Sequence, residues 1–135
     1  MSSIELIPTA YVHQNWLAVE PFIDAASEWA NGDFTVDQLR ADLGQGRAFL
    51  YCAKDGQSVT GAAVVAFQNG RNKRVAFVLS MGGRLIANQE NFEEFAALLK
   101  QAGATHIGGS GRPATGRLWS RFGFREKSVT YERPV

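Results

Sequence analysis

Two glycine-rich breaks in this chain, each followed by an arginine, are the segments best suited to bind an anionic ligand. The first reads Gly82-Gly83-Arg84 and follows apolar residues 74–81, and the second is residues 108–111, followed by Arg112. Glycine lets a ligand approach the backbone amides, and arginine adds a charged hydrogen bond to a phosphate oxygen. The simpler interpretation of Gly82-Gly83 is a turn that leads from a strand into a helix.

Side chains that commonly hold a metal ion are few. The chain has one cysteine, Cys52, and two histidines, His13 and His106. A single cysteine excludes an intramolecular disulfide and a cysteine-rich zinc site, and no spacing of His or carboxylate residues is typical of a metal site. We therefore expect no metal ion, and Cys52, inside the apolar run 49–53, is predicted to be a small buried core residue.

Charge is distributed unevenly along the 135 residues, although the net charge is only +1. Residues 1–70 hold three basic and eight acidic groups, a net charge of −5, whereas residues 100–135 hold seven basic and two acidic groups, a net charge of +5. A basic C-terminal third favours an anionic partner such as a small polyphosphate, or is simply a solvated surface. Nucleic acid is a poorer candidate, because the basic residues are spread out and the pI is near 7.9.

Composition and length favour one ordinary globular domain over residues 1–135. Hydrophobic residues make up 45% of the chain and charged residues 20%. The longest uncharged stretches, residues 56–70 and 75–83, are too short or too polar to span a bilayer, and the first residues have no secretory pattern. The expectation is a soluble cytoplasmic protein with a reduced Cys52.

Hydrophobic periodicity and turn residues predict alternating strands and helices. A capping box at Thr35 and Gln38 opens the second helix, and Asp55-Gly56 and Asn69-Gly70 are hairpin signals. The predicted strands are residues 4–7, 48–53, 59–68, 74–81, 105–108 and 124–133, and the predicted helices are residues 12–30, 36–43, 88–102 and 113–122. The order β-α-α-β-β-β-α-β-α-β predicts an α/β (α+β) fold with a mixed, mainly antiparallel central sheet flanked by helices.

That order, together with the residues near the C-terminus, resembles the GCN5-related N-acetyltransferase (GNAT) superfamily over nearly the whole chain. The superfamily often shows Asn-x-x-Ala-x-x-x-Tyr-x-x-x-Gly-Phe on its last helix. Here the same spacing reads Arg112-x-x-Thr115-x-x-x-Trp119-x-x-x-Gly123-Phe124, so the Gly-Phe is kept and three other residue types differ. Residues 111–124 and 81–84 also resemble a diverged branch encoded by tailed phages, whose members include acetyltransferases and small virion components.

The resemblance implies a place for acetyl-CoA. In the superfamily this cofactor lies where the fourth and fifth strands separate, and backbone N–H groups of the fourth strand polarise the thioester carbonyl. Its pyrophosphate lies at the N-terminus of the following helix. The residues that match these positions are Leu79, Ser80 and Met81 at the carbonyl, Gly82, Gly83, Arg84 and Asn88 at the pyrophosphate, and Arg112 beside the cleft.

The sequence departs from the superfamily pattern at the groups that carry its chemistry. The usual phosphate signature [Arg/Gln]-x-x-Gly-x-[Gly/Ala] is not kept, and bulky Leu85 and Ile86 stand where small residues are usual. Trp119 occupies the place of the tyrosine that acts as general acid, and an indole N–H does not supply a proton. Ser80 is the only hydroxyl in residues 74–81, and it and Tyr131 are our candidate catalytic residues, with Tyr51 and His106 as further titratable groups.

Two functions follow from the resemblance. The first is an acetyl-CoA-dependent N-acetyltransferase that acts on a small-molecule amine or a protein amino group. The alternative is a non-catalytic GNAT-like structural or binding module, associated with a larger assembly such as a phage virion. The expected location is the cytoplasm, or the virion for a phage-encoded protein, with no membrane partner.

Overall fold

Five strands form one mixed sheet in the computed structural model, which describes residues 2–27, 34–85, 88–110 and 113–135. The strands are β1 (Ser2–Ile7), β2 (Phe49–Asp55), β3 (Ser58–Gly70), β4 (Lys73–Gly83) and β5 (His106–Gly109). Their spatial order is the order of the chain, and the first three neighbouring pairs are antiparallel. Only β4 and β5 are parallel, because a helix connects them. The predicted fold class is confirmed.

Four helices pack on this sheet: α1 (Val12–Ser27), α2 (Val36–Gly44), α3 (Gln89–Gln101) and α4 (Pro113–Ser120). A 3₁₀ turn, Thr9–Tyr11, precedes α1. The predicted capping box is present, because the Thr35 hydroxyl accepts from the Gln38 N–H at 3.1 Å and the Gln38 side chain accepts from the Thr35 N–H at 2.9 Å. None of the described helices is both long and apolar enough to cross a membrane.

The two faces of the sheet carry separate apolar cores. One core lies under α1 and α2 and includes Trp16, Ile23, Leu39 and Val64. The other lies under α3 and includes Tyr51, Val65, Val78, Phe95 and Leu99. Because each strand residue faces one core or the other, the strand register fixes which side of the sheet each candidate residue reaches.

The sixth strand predicted at residues 124–133 is wrong. The chain after α4 forms a turn over residues 121–123 and then no regular secondary structure to residue 135. Seven polar or charged side chains between residues 125 and 133 leave only Val129 and Tyr131 for an apolar strand face, and both are exposed. The neighbouring β5 is only four residues long and offers a short edge for pairing.

Helix α1 approaches β4 at the glycine pair. A Cβ atom placed on Gly82 would lie 2.4 Å from the Phe22 carbonyl oxygen, and one on Gly83 would lie 2.7 Å from Phe22 Cδ1 and 2.4 Å from the Thr60 carbonyl oxygen. Gly83 also has φ +73°, which favours glycine. These two glycines therefore allow the backbone of α1 to lie directly on the end of β4.

The packing predicts a large cost for any side chain at position 82. Gly82→Ala should lower the free energy of unfolding by about 2 kcal/mol or more, because backbone rather than a flexible side chain must move. The matched control is Gly116→Ala in α4, where no atom lies within 4 Å of the added Cβ. That variant should be stabilised by roughly 0.5–1 kcal/mol. Urea unfolding of both variants measures the difference, and equal stabilities would contradict this packing.

Cys52 is fully buried, as predicted. Burial is the main cause that raises the pKa of its thiol to about 11, Lys54 opposes the rise, and Glu5 adds to it. Since the thiolate is the reactive form, the folded protein should not react with Ellman's reagent at pH 8 and should release one equivalent of thionitrobenzoate once unfolded in guanidinium chloride. Rapid labelling without denaturant would show that this side of β2 opens readily.

Candidate functional site

Strands β4 and β5 pair over only part of the length of β4. The paired positions run from Val75 beside His106 to Val78 beside Gly109. Beyond Val78, β4 continues to Gly83, and no described strand lies beside residues 79–83 on the β5 side. Among the described residues, no backbone hydrogen bond joins this edge to a loop either. β5 thus ends beside Val78 while β4 continues, a point that we call the parting of the strands, and among the described residues no backbone group pairs with the β4 amides that point to this edge.

A β-bulge lies directly beyond the point where the strands part. Val65 of β3 pairs with Val78, and its neighbour Val64 pairs with Ser80, so Leu79 is an extra residue on β4. A bulge places two consecutive side chains on one face and increases the local twist. Leu79 packs against the core under α1 and α2, and Ser80 lies on that same face, opposite Val64.

Ser80 carries an unpaired buried hydroxyl. The residue is 5% exposed, and its Oγ has no hydrogen-bond partner among the described residues. A buried polar atom without a partner costs about 1–3 kcal/mol and is uncommon in native proteins. The only other such atom in the described residues is Arg74 Nε, whose guanidinium donates from Nη1 to Asn69 and stacks on Phe67. Ser80 is therefore the orphaned group at the parting of the strands.

The side chains on either side of Ser80 are apolar. Leu79 faces the core under α1 and α2, and Met81 packs against the core under α3. Neither side chain has a group that could bind a carbonyl oxygen or transfer a proton. The role that the family resemblance implies for these residues rests on their backbone N–H groups, and that role stays a prediction.

The segment after β4 does not form a glycine cradle for phosphate. Phe22 lies against the positions that side chains on Gly82 and Gly83 would take, and the Arg84 N–H donates to the Thr60 carbonyl at 2.9 Å. Leu85 is fully buried in the core under α3. The two glycines are the last residues of β4 and pair with β3, and the turn follows at Arg84 and Leu85, so the simpler interpretation placed this turn two residues too early. The exposed Arg84 side chain is the cation of this segment.

The N-terminus of α3 is already capped. The Asn88 side chain accepts from the Asn91 N–H at 2.8 Å, and the Asn88 carbonyl accepts from the Phe92 N–H at 3.0 Å. Glu90 adds a negative charge in the first turn. This end of α3 is therefore less attractive to a phosphate than an uncapped helix. Arg112 lies outside the described residues.

The remaining candidates lie in three different settings. Tyr131 is 88% exposed in the C-terminal segment, so the strand meant to position it is missing and its predicted catalytic role has no structural support. Tyr51 is buried against Phe95, and burial raises the pKa of its phenol. His106 begins β5 at the far end from the bulge, with Nδ1 2.8 Å from the Thr105 hydroxyl. None of the three adjoins Ser80 in the strand register.

Trp119 lies where the strands part. A Cβ atom on Gly109, the last residue of β5, would lie 3.3 Å from Trp119 Cη2 and 3.7 Å from the Val78 carbonyl oxygen. Trp119 is a packing residue, as its indole chemistry implies, and it contacts Phe124. Sequence reasoning missed Phe22 and the rings around Trp119, because their contacts join residues far apart in the chain and no spacing reveals them.

The described part of the chain contains no group of three or more His, Cys, Asp or Glu residues placed to hold a metal ion.

The unpaired Ser80 hydroxyl leads to a prediction about stability. Ser80→Ala removes the unpaired group, so the variant should be at least as stable as the unaltered chain, by up to about 1 kcal/mol. Ser58→Ala, at an exposed position on β3, should change stability by less than about 0.5 kcal/mol. Thermal and urea unfolding compare the two. A marked loss of stability in Ser80→Ala would mean that the hydroxyl is paired in the folded protein.

Comparison with known proteins gives matches at the level of structure alone. No protein-family model matches the chain, and no curated protein does. Among solved structures, the ribosomal-protein-alanine N-acetyltransferase from Brucella melitensis biovar Abortus 2308 superposes with a TM-score of 0.69 at 13% identity, over 100% of this chain and 99% of that one.

Two further structures agree. An aminoglycoside acetyltransferase from an uncultured soil metagenomic sample, in complex with sisomicin, has a TM-score of 0.68 at 11% identity, over 99% of this chain and 96% of that one. A predicted acetyltransferase with acetyl-CoA from Clostridium acetobutylicum has a TM-score of 0.64 at 10% identity, over the same shares. The superpositions cover both chains almost completely, and this chain has the element order β-α-α-β-β-β-α-β-α. It therefore has the fold of the GNAT superfamily, as the sequence resemblance predicted.

Proposed function

We propose that this chain is an acetyl-CoA-dependent N-acetyltransferase that acts on an amine. The observation that carries the proposal is the parting of β4 from β5 at Val78 and Gly109, with a bulge and the unpaired Ser80 hydroxyl directly beyond it. A free strand edge and an orphaned polar group at one place are what a site for a polar acyl group requires. The fold shared with acetyltransferases of known structure supports it.

The cofactor fits the described residues at its acyl end. Acetyl-CoA supplies an acetyl group held as a thioester, and the amides of residues 79–83 that point away from β3 are suited to bind the thioester carbonyl oxygen. Ser80 has both a donor and an acceptor to offer, and it lies on the α1 face of the sheet. We assign it to orienting the acceptor amine, or a water beside it, from that face.

The pyrophosphate end is held by fewer groups. Arg84 is exposed and available for a charged hydrogen bond, and the Gln89 and Glu90 amides lie in the open first turn of α3. Arg112 is the second cation that the sequence places beside the cleft, and its role remains a proposal. Because Asn88 caps the helix and Phe22 lies against Gly82 and Gly83, we expect the phosphates to contribute less affinity than the acyl end.

No side chain on residues 79–83 can act as a general base, and Trp119 cannot act as a general acid. The chain would therefore hold a neutral amine against the thioester carbonyl, where the C–N bond would form as the C–S bond breaks. The proton lost by the amine would pass to water, and CoA would leave as its thiolate and take a proton from water. It follows that kcat/KM should rise with pH as the free amine fraction of the acceptor rises, and should level off above the pKa of that amine.

The direct test measures both cofactor binding and turnover. Calorimetry with acetyl-CoA should give saturable binding, and thiol release from acetyl-CoA should be stimulated by one or more amines from a panel of aminoglycosides, polyamines and peptide N-termini. Ser80→Ala should lower kcat/KM by about 10-fold or more with cofactor affinity nearly unchanged, while Ser58→Ala leaves both unchanged. Absence of binding at millimolar acetyl-CoA would reject the proposal.

The alternative is a GNAT-fold module that binds a macromolecular partner without catalysis. The observation that favours it is the aromatic packing of Trp119 with Phe124 at the parting of the strands, together with the contact of Phe22 with the two glycines that end β4. Such a module would co-purify with a larger protein assembly from its native source and would give no thiol release with any amine. Turnover by the isolated chain would exclude it.

A further inference from the structure

The path from the parting of the strands to the start of α3 is crossed by four aromatic rings. Phe92 lies in the first turns of α3, Trp119 lies in the last turn of α4, and Phe122 and Phe124 follow α4. In the proposed function the acyl end of the cofactor lies at Gly109 and the phosphate end at the start of α3. The rings therefore stand between the two ends of one ligand.

Ring geometry shows a continuous chain of contacts. Phe92 stacks on Phe122 with centroids 4.9 Å apart and planes at 23°, and it meets Phe124 edge to face at 5.8 Å. Phe124 in turn meets Trp119 edge to face at 4.6 Å and 71°. Trp119 reaches Gly109, where the strands part. One unbroken aromatic layer thus joins α3 to α4 over the proposed cofactor path.

The two rings at the end of this layer belong to the residues on either side of one glycine. Phe122 and Phe124 flank Gly123, which has φ +89°. A Cβ atom added to Gly123 would have no atom within 4 Å, so the backbone there has space to rearrange. The turn is held by hydrogen bonds from the Phe122 N–H to the Trp119 carbonyl and from the Gly123 N–H to the Ser120 carbonyl, at 2.9 and 3.1 Å. The Phe124 N–H bond to the Trp119 carbonyl is longer, at 3.4 Å.

Among the described residues, few other contacts hold the segment from Phe122 onward in place. Every described residue from Arg125 to Val135 is exposed and in no regular secondary structure. Phe122 and Phe124 are themselves only half-buried, whereas Phe92 beneath them is buried. A segment held by a few ring contacts beside an exposed chain belongs to the least stable parts of a structure and opens at low cost.

We propose that Phe122 and Phe124 form an aromatic latch that closes the cofactor path by packing on Phe92 and Trp119, and that acetyl-CoA binds only when this latch opens about Gly123. The inference rests on the proposed function, because it names how the same site is regulated. In the closed state the apparent affinity for acetyl-CoA is reduced by the fraction of molecules whose latch is open.

The test is calorimetry with acetyl-CoA on the full chain and on Phe124→Ala. The variant loses the contacts of Phe124 with both Phe92 and Trp119, so it should bind acetyl-CoA about tenfold more tightly. Val129→Ala is the matched control, because it truncates an exposed apolar side chain of the same segment, and its affinity should equal that of the unaltered chain. Phe124→Leu keeps most of the volume and should give an intermediate affinity.

Amide hydrogen exchange on the unaltered chain provides a second measurement that needs no variant. Saturating acetyl-CoA should increase exchange at residues 122–124, because binding opens the turn, while exchange in β2 and β3 stays the same or falls. Equal or weaker binding by Phe124→Ala, or unchanged exchange in an acetyl-CoA complex, overturns the latch and leaves the proposed function standing. If neither the unaltered chain nor Phe124→Ala binds acetyl-CoA, the proposed function and the latch both fail.

Discussion

The close approach of α1 to the end of β4 is the constraint on which the candidate site depends. Gly82 and Gly83 carry no side chains, so the Phe22 backbone and ring lie directly on them and fix the last residues of β4 to the α1 face. The extra residue at Leu79 lies between this contact and Val78, the last residue of β4 that pairs with β5. A side chain at either glycine would push α1 off the strand and disturb the bulge and Ser80 beside it.

Most of the architecture was predictable because local signals agreed with tertiary packing. The capping box at Thr35, the hairpin at Gly56 and the apolar run of β4 each specify one element that the structure contains. The hairpin predicted at Asn69-Gly70 is also present, but β3 continues through Gly70 and the turn lies at Arg71 and Asn72. The prediction of a final strand at residues 124–133 was wrong for a physical reason. Val129 and Tyr131 satisfy the alternating pattern, but a strand also needs an edge to pair with, and β5 offers four residues. An alternation of apolar and polar residues indicates a possible strand face, but it carries no information on the length of the neighbouring strand.

The site was predictable only in part. The position of Ser80 on the fourth strand follows from the family resemblance, whereas its burial without a partner depends on the register shift at Leu79, which no residue pattern signals. The glycine pair was identified as a turn or a phosphate loop, yet it allows α1 to approach β4, since a Cβ atom added to Gly82 would lie nearest to Phe22, sixty residues earlier in the chain. Contacts between such distant residues, including those among Phe92, Trp119 and Phe124, arise from the folded chain alone.

The central claim is that the free edge of β4 binds an acyl thioester. Backbone ¹H–¹⁵N NMR of the full chain, titrated with acetyl-CoA and separately with CoA, tests it most directly, because each amide of residues 79–83 is observed on its own. The account predicts that acetyl-CoA shifts amide resonances within residues 79–83 more than CoA does, since only the thioester has the carbonyl oxygen. If those amides are unmoved while resonances elsewhere in the chain shift, the ligand binds at another place and the account is contradicted.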